Sequence, residues 1–199
     1  ILQSVSSDDE RLQLLQMKYG FGRAVLHRAA INSATEIVKV ILESVSEEMR
    51  YTLLSMEDND KRTPIHMACM FGNSEVSEMM MRLITVEMRY KLLQLPALYG
   101  LTPLHWSAGS GSTQCIRVIA DSVSSQQLIH LLRITDDERR TPLQLAAERN
   151  DQAAVKMLQE YQNKGLIDVA LRHADESGEN SPYYPGRIII ACSFQYLSL

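Results

Sequence analysis

Residues 102–108 read Thr-Pro-Leu-His-Trp-Ser-Ala, and related stretches occur at three other places in the chain. The four stretches begin at positions 24, 63, 102 and 141, so their starts are separated by a constant interval of 39. A fixed period of this size indicates stacked repeats, in which each unit buries its apolar face against its neighbours. The other three stretches are Ala24-Val25-Leu26-His27-Arg28-Ala29-Ala30, Thr63-Pro64-Ile65-His66-Met67-Ala68-Cys69 and Thr141-Pro142-Leu143-Gln144-Leu145-Ala146-Ala147.

The second half of the unit also repeats. Glu48-Met49-Arg50-Tyr51 recurs one period later as Glu87-Met88-Arg89-Tyr90, and the stretch from Ile1 to Ser6 is similar to that from Ile41 to Ser46. Residues 1–22 are therefore predicted to be the back half of a truncated repeat. On this basis we expect the sequence to be a fragment of a longer protein.

Each full unit is predicted to contain two helices and a short third one. A Thr-Pro pair places a capping residue before a proline at the first helical position, and Gly72, Gly111 and Asn150 can end that helix in the left-handed conformation. Apolar residues at helical spacing then mark a second, core-facing helix: Ile37, Val40, Ile41, Val76, Met79, Met80, Cys115, Val118, Ile119, Ala154, Met157 and Leu158. The capping pattern after it indicates a third helix, with a single bent helix as the alternative.

The motif Thr-Pro-Leu-His-x-Ala, followed by a Gly turn and an apolar helix, resembles the ankyrin repeat. The resemblance implies an all-α, ankyrin-like helical repeat solenoid in which the polar stretches before each Thr-Pro form finger hairpins or loops. The period of 39 exceeds the usual value of about 33 by roughly six residues, which leaves room for the third helix. We expect repeats at residues 23–61, 62–100 and 101–139, a partial or capping repeat at 140–163, and a non-repeat tail or linker at 164–199.

Composition and motifs argue against catalysis, nucleic-acid binding and cofactors. The formal net charge is -4 and there is no long basic run, which disfavours nucleic acid. No phosphate-loop, hydrolase, zincin or kinase motif occurs, so we expect no enzyme, cofactor or metal. His27, His66 and His105 lie on helices expected about 8–10 Å apart, too far to share one zinc ion, and are predicted to hydrogen-bond backbone between repeats.

The three cysteines are far apart in sequence and form no C-x-x-C pair, which suits a reducing, cytoplasmic location. Cys69 and Cys115 occupy core positions of the repeat and are predicted to be buried side chains instead of reactive thiols. In the tail, residues 187–194 are apolar and β-branched, which is typical of a strand or of the start of a membrane span. The twelve uncharged residues from Ile188 to Leu199 are too few to cross a bilayer alone.

The resemblance implies that another protein or peptide binds the concave surface, through the fingertips and the residues that follow the first helix. The array is expected to be monomeric. An alternative is that it serves as the cytoplasmic sensory or assembly module of a larger receptor, signalling enzyme or ion channel. By motif position the partner-binding residues are Phe21, Ile31, Asn59, Asp60, Arg62, Met70, Phe71, Leu98, Tyr99, Leu101, Trp106, Glu138, Arg140, Glu148 and Arg149. The finger from Leu95 to Leu101 carries no charge, an arrangement expected of an apolar interface centre with a polar rim.

Overall fold

The computed structural model describes the backbone of residues 8–176 and the side chains of residues 10–165. Within these bounds the chain consists of helices and turns, with one isolated β-bridge between Tyr19 and Arg23. The all-α solenoid predicted from the repeat is therefore confirmed. The helices are α1 (Asp8–Gln16), α2 (Val25–Ile31), α3 (Thr35–Glu43), α4 (Glu47–Leu54), α5 (Pro64–Met70), α6 (Ser74–Arg82), α7 (Val86–Gln94), α8 (Pro103–Gly109), α9 (Thr113–Asp121), α10 (Ser125–Arg133), α11 (Pro142–Glu148) and α12 (Gln152–Glu176).

The third helix of each unit is present as a separate element. Helices α4, α7 and α10 begin after Ser46, Thr85 and Ser124, whose backbones are extended and whose side chains accept a hydrogen bond from the third residue of the helix. An extended residue cannot continue the preceding helix, so these units do not contain the single bent helix considered above. The additional residues of the long repeat period thus form a capped helix.

The last unit differs from the others because α12 runs for 25 residues without a break. It passes through Lys164, where the repeat pattern ends, and packs against α9, α10 and α11. The sequence there has Asn163 in place of the serine or threonine that caps α4, α7 and α10. No helix in the described part of the chain is both long enough and apolar enough to span a bilayer. The boundaries between the repeats and the tail stay a prediction, and residues 187–194 lie outside the described residues.

The buried histidines bond to the start of their own helices, and two of them, His27 and His105, also bond to the following finger. In α5, the backbone N–H of Thr63 donates to His66 Nδ1 at 3.1 Å; in α2, Ala24 does the same to His27 at 3.2 Å. With Nδ1 accepting, Nε2 carries the proton: His27 donates to the Arg62 carbonyl at 2.8 Å, and His105 to that of Arg140 at 3.0 Å. The predicted hydrogen bond to backbone between repeats is confirmed for His27 and His105, whereas His66 Nε2 is buried without a hydrogen-bond partner among the described residues.

The core is continuous along the stack, because each second helix packs on the second helix of the preceding unit. Positions that are equivalent by the repeat period show this: Val76, Cys115 and Ala154 are completely buried. Their equivalent in the first unit, Ile37, is 52% exposed, and Val40 is exposed as well. The prediction that Ile37 and Val40 form the core is therefore wrong, since within the described residues no second helix precedes α3.

Truncating a buried residue of a second helix should lower stability more than truncating the equivalent residue at the uncovered end face. We expect Val76→Ala to lower the free energy of unfolding by about 2 kcal/mol, because a fully buried side chain is truncated. Ile37→Ala should cost less than about 1 kcal/mol although it removes more atoms, because the side chain is half exposed. Urea denaturation measures both, and equal losses would contradict the assignment of Ile37 to an uncovered end face.

The buried histidines should make stability sensitive to mild acid. Burial lowers the pKa of His66 to about 3, whereas the unfolded chain binds this proton below about pH 6.5. Stability is therefore fully present above pH 6.5 and falls as the pH drops, by about 2 kcal/mol for His66 between pH 7 and pH 5.

A matched variant for this effect is His66→Gln, since the last repeat already has Gln144 here, with Oε1 accepting the Thr141 N–H at 2.9 Å. The variant should retain about 2 kcal/mol more of its pH 7 stability at pH 5 than the wild type does. Identical pH dependence of the unfolding free energy in the two proteins would show that His66 is not buried as a neutral group.

Candidate functional site

Four fingers precede the first helices, and each is closed at its base by a backbone hydrogen bond. The N–H of Tyr19 donates to the Arg23 carbonyl, and the equivalent residues Asp58, Ala97 and Asp136 donate to the carbonyl four residues later, all at 2.9 Å. These positions are separated by one repeat period each, so the tips are also equivalent. The four tip residues are Phe21, Asp60, Tyr99 and Glu138.

Successive fingers are joined to one another by further backbone bonds. Asn59 N–H donates to the Phe21 carbonyl at 3.0 Å, Leu98 N–H to that of Asp60 at 2.9 Å, and Asp137 N–H to that of Tyr99 at 3.1 Å. The predicted site residues at the tips therefore lie in one connected row. The second and third fingers are each bonded to a neighbour on both sides, which limits the motion of their backbone.

The fingers are of two kinds that alternate along the stack. In the first and third, the aromatic tip and the following glycine both have positive φ: 65° at Phe21 and Tyr99, 69° at Gly22 and 71° at Gly100. A Cβ at Gly100 would lie 2.9 Å from the backbone nitrogen of Asp137, so only glycine allows the next finger to approach this closely. The left-handed conformation is uncommon for a bulky residue, and such conformations cluster at binding sites.

The second and fourth fingers are instead built around a buried aspartate. Asp58 Oδ1 accepts the N–H groups of Asp60 and Arg62, both at 2.9 Å, and its Oδ2 accepts from the Arg62 side chain at 3.1 Å. Asp136 and Arg140 repeat this arrangement in the fourth finger. In these fingers only Lys61 and Arg139 have positive φ.

Burial alone would raise the pKa of Asp58. The hydrogen bonds from Arg62 and Asp60 outweigh this effect, so the net result is a pKa below the ordinary value. For Asp136, burial acts in the same direction, and the backbone and side chain of Arg140 lower the pKa. Both carboxylates are therefore charged at neutral pH and serve to shape the turn.

Exposed apolar side chains lie on the first and third fingers and at the end of α5, and a second group that includes Leu14, Met17, Ile37 and Val40 lies at the uncovered end face. Tyr99 is 67% exposed, Phe21 71% and Phe71 50%, and Leu98 is also exposed. Phe71 is the residue that ends α5, where the chain leaves the helix. Large apolar side chains exposed together in this way are typical of surfaces that bind a partner.

The remaining apolar residues predicted for the site are half buried. Ile31 and Trp106 pack against the core, and Met70 and Leu101 are partly covered. The indole Nε1 of Trp106 is buried and makes no hydrogen bond to the described part of the protein. These four side chains are therefore less available for contact with a partner than the exposed ones are.

The charged residues predicted for the site are largely paired with one another. Asp60 forms an ion pair with Arg62, and Arg140 contacts Glu138 at 2.9 Å and Glu148 at 3.1 Å. Asn59, Glu138, Glu148 and Arg149 are exposed. The structure thus brings Glu138, Arg140 and Glu148 together into one exposed charged group at the last finger.

Three features of this surface are not evident from the predicted residues. Tyr19 is exposed, and the Arg23 guanidinium lies 5.2 Å from the centre of the Phe21 ring, a cation–π contact. Asp58 and Asp136 organise their fingers but were not among the predicted residues. The two aspartates lie two repeat periods apart and each precedes an arginine by four positions, which is the sequence signal that identifies them.

No metal centre is evident in the described part of the chain, but a polar cleft of about 380 Å³ lies against α6, α7 and α9, and its lining includes Glu78, Arg82, Arg89, Arg117 and Asp121. No three His, Cys, Asp or Glu side chains among the described residues come close enough together to hold a metal ion. An apolar hollow of about 550 Å³ lies at the uncovered end face, lined by Leu14, Met17, Tyr19, Val25, Ile37 and Val40. The ionisable side chains among its lining residues are Tyr19 and Glu36.

Comparison with known proteins agrees with the helical stack and its fingers. A family model described as ankyrin repeats in three copies matches residues 3–90 and again residues 78–172. No curated protein matches the chain significantly. The two matched segments together cover most of the sequence, so the chain belongs to the ankyrin repeat family.

Proposed function

We propose that this protein binds another protein or peptide through the surface formed by the fingertips and the ends of the first helices. Ankyrin repeats are generally protein–protein interaction modules. The observation that carries the more specific proposal is Tyr99, a largely exposed aromatic residue on a finger whose backbone is hydrogen-bonded to both neighbouring fingers.

A rigid, exposed aromatic side chain is an efficient binding anchor. Burying a tyrosine or phenylalanine in an interface removes a large apolar area from water, and a side chain on an already ordered backbone loses little further entropy. Tyr99 has both the exposed apolar area and the ordered backbone. Phe71, which follows the last residue of α5, has the exposed apolar area. Together they form the proposed centre of the interface.

The charged fingers on either side supply the polar rim. Because Asp60 and Glu138 are each paired with an arginine, these fingers offer both donors and acceptors without a strong net charge. A rim of this kind favours specificity through hydrogen bonding over long-range attraction to an acidic or basic partner. A protein or peptide with an apolar centre and mixed polar flanks fits this layout.

The proposed role is that of a non-catalytic scaffold. A monomeric state and a cytoplasmic location stay predictions, as does the absence of nucleic-acid binding. Nothing in the geometry favours the alternative of a sensory module in a larger receptor or channel over an independent adaptor.

Substituting the two central aromatics should abolish partner binding without unfolding the protein. We expect Phe71→Asp with Tyr99→Asp to remove a partner captured from native lysate, because two charges are placed where apolar contacts form. The melting temperature should change little, since both side chains are exposed. Capture with each variant followed by mass spectrometry measures the loss.

The matched control is Val86→Asp, which changes a similarly exposed apolar residue at the start of α7, outside the fingers. It should leave the captured partner in place. If the double variant still captures the same proteins as wild type, or if Val86→Asp loses them equally, the placement of the binding surface is wrong.

The spacing of the fingers can be tested with two glycines that share the same φ. Gly72 and Gly100 both have φ of 71°, but a Cβ at Gly72 would meet only the Ser112 side chain, at 3.6 Å. Gly72→Ala should therefore cost about 1 kcal/mol from backbone strain alone. Gly100→Ala should cost more and weaken partner binding, because the finger must move away from Asp137. Equal unfolding free energies for the two variants would contradict the close approach of these fingers.

A further inference from the structure

The junction between the second and third repeats contains a cluster of small polar side chains that the other junctions lack. Cys69 on α5, Ser77 on α6, Ser107 on α8 and Cys115 on α9 are all 0% exposed. The equivalent residues at the preceding junction are Ala30, Val38, Ala68 and Val76, and at the following junction Ala108, Ile116, Ala146 and Ala154. All four positions thus change from apolar to thiol or hydroxyl at one junction only.

Burying these groups is costly unless they are satisfied, and the hydroxyls are satisfied locally. Ser77 Oγ donates to the Asn73 carbonyl at 3.1 Å, and Ser107 Oγ to the Pro103 carbonyl at 3.0 Å. Alanine or valine would fill both positions without a polar group, as they do in the other repeats. The two short serine side chains therefore leave the centre of the junction to the two thiols.

The thiol of Cys115 reaches across the junction to the backbone beside Cys69. Cys115 Sγ lies 3.8 Å from Ser77 Oγ and 4.0 Å from the carbonyl of Ala68, the residue before Cys69. The hydrogen bond from Cys69, with those from Ser112 and Ser77, lowers the pKa of Cys115 to about 7. The same interaction and burial raise the pKa of Cys69. Of the two thiols, Cys115 is therefore the one whose thiolate its hydrogen bonds favour.

Cys115 also lies near the start of α9, where its backbone N–H donates to the Ser112 side chain at 3.3 Å. The positive end of a helix favours a thiolate at this position. The helix and the neighbouring cysteine therefore act in the same direction on Cys115.

We propose that Cys69 and Cys115 form a reversible disulfide bond across the junction of the second and third repeats when the protein meets a peroxide. This inference does not depend on the proposed binding surface, and it departs from the sequence-based view of both cysteines as unreactive. Both cysteines are free in the structure described, which corresponds to the reduced state.

The chemistry balances with one hydrogen peroxide. The Cys115 thiolate attacks a peroxide oxygen, the O–O bond breaks, and hydroxide leaves and takes up the proton released by Cys115 to become water, giving a sulfenic acid. The Cys69 sulfur then attacks the sulfenic sulfur, the S–S bond forms, the S–O bond breaks, and a second water leaves with the Cys69 proton. Two thiols are oxidised and one peroxide is reduced.

Because both thiols are buried, the peroxide reaches them when the junction opens locally, so the reaction is slow compared with that of an exposed cysteine. Once formed, the bond ties the end of α5 to the start of α9. The residues that follow Cys69 are Met70 and Phe71, so the oxidised form fixes the helix end from which Phe71 projects.

The test uses the full chain with Cys192→Ser, which removes the third cysteine. After treatment with hydrogen peroxide under native conditions and alkylation of the remaining thiols, we expect one peptide pair that links Cys69 to Cys115 and is released by dithiothreitol. The oxidised protein should melt about 5 °C or more above the reduced protein, because the cross-link restricts the unfolded chain.

Matched variants are available from the chain's own repeats: Cys69→Ala reproduces Ala108 and Ala147, and Cys115→Ala reproduces Ala154. With Cys69→Ala, which removes the second thiol and the hydrogen bond that most lowers the Cys115 pKa, oxidation of Cys115 should be slower and should leave a dimedone-reactive sulfenic acid. With Cys115→Ala, Cys69 should stay a free thiol. The proposal is overturned if both thiols of the Cys192→Ser protein remain alkylatable after peroxide, if Cys115 is instead oxidised irreversibly beside a free Cys69, or if the cross-link forms only in urea.

Discussion

In the first and third repeats, the hydrogen bonds of a buried histidine connect the first helix to the finger that follows it. Nδ1 of His27 accepts from the residue that starts its own helix, and Nε2 donates to the Arg62 carbonyl at the base of the next finger. His105 makes the same two connections in its repeat. A neutral imidazole is the group that can accept on one side and donate on the other. The start of each such helix and the position of the following finger are therefore fixed together, and the row of fingertips depends on that coupling.

The proposed function depends on the side chains that the fingers expose to solvent. In two of the fingers the aromatic residue at the tip and the glycine after it both have positive φ. In the other two, an aspartate accepts hydrogen bonds from the backbone of its own finger. The alternation gives apolar anchors separated by polar fingers whose charges are already compensated. Such a surface is suited to a partner selected by shape and apolar contact, and the cysteine junction lies directly behind one of its anchors.

Much of the fold could be predicted because the decisive signals are local. Thr-Pro caps, glycine turns and the spacing of apolar residues lie within a few positions of one another, and a capping serine or threonine marks each third helix. The exposure of Ile37 and Val40 could not be predicted from the spacing of apolar residues. That spacing marks one face of a helix but does not show whether another helix covers the face. The role of Asp58 rests on local contacts with Asp60 and Arg62, so its spacing to Arg62 could have identified it. The proximity of Cys69 and Cys115 depends on packing between residues distant in sequence. Among the predicted site residues, Tyr99 and Phe71 are exposed, whereas Ile31 and Trp106 are partly buried. Their positions in the repeat motif do not show this difference.

The central claim is that a partner covers the row of fingers and the ends of the first helices. Hydrogen–deuterium exchange of the protein with and without its captured partner tests this most directly, because protection reports which backbone is covered. The account predicts slower exchange on binding in residues 70–73 and 98–101, with α4, α7 and α10 unchanged. Protection confined to α4, α7 and α10, with the fingers exchanging as in the free protein, would contradict it.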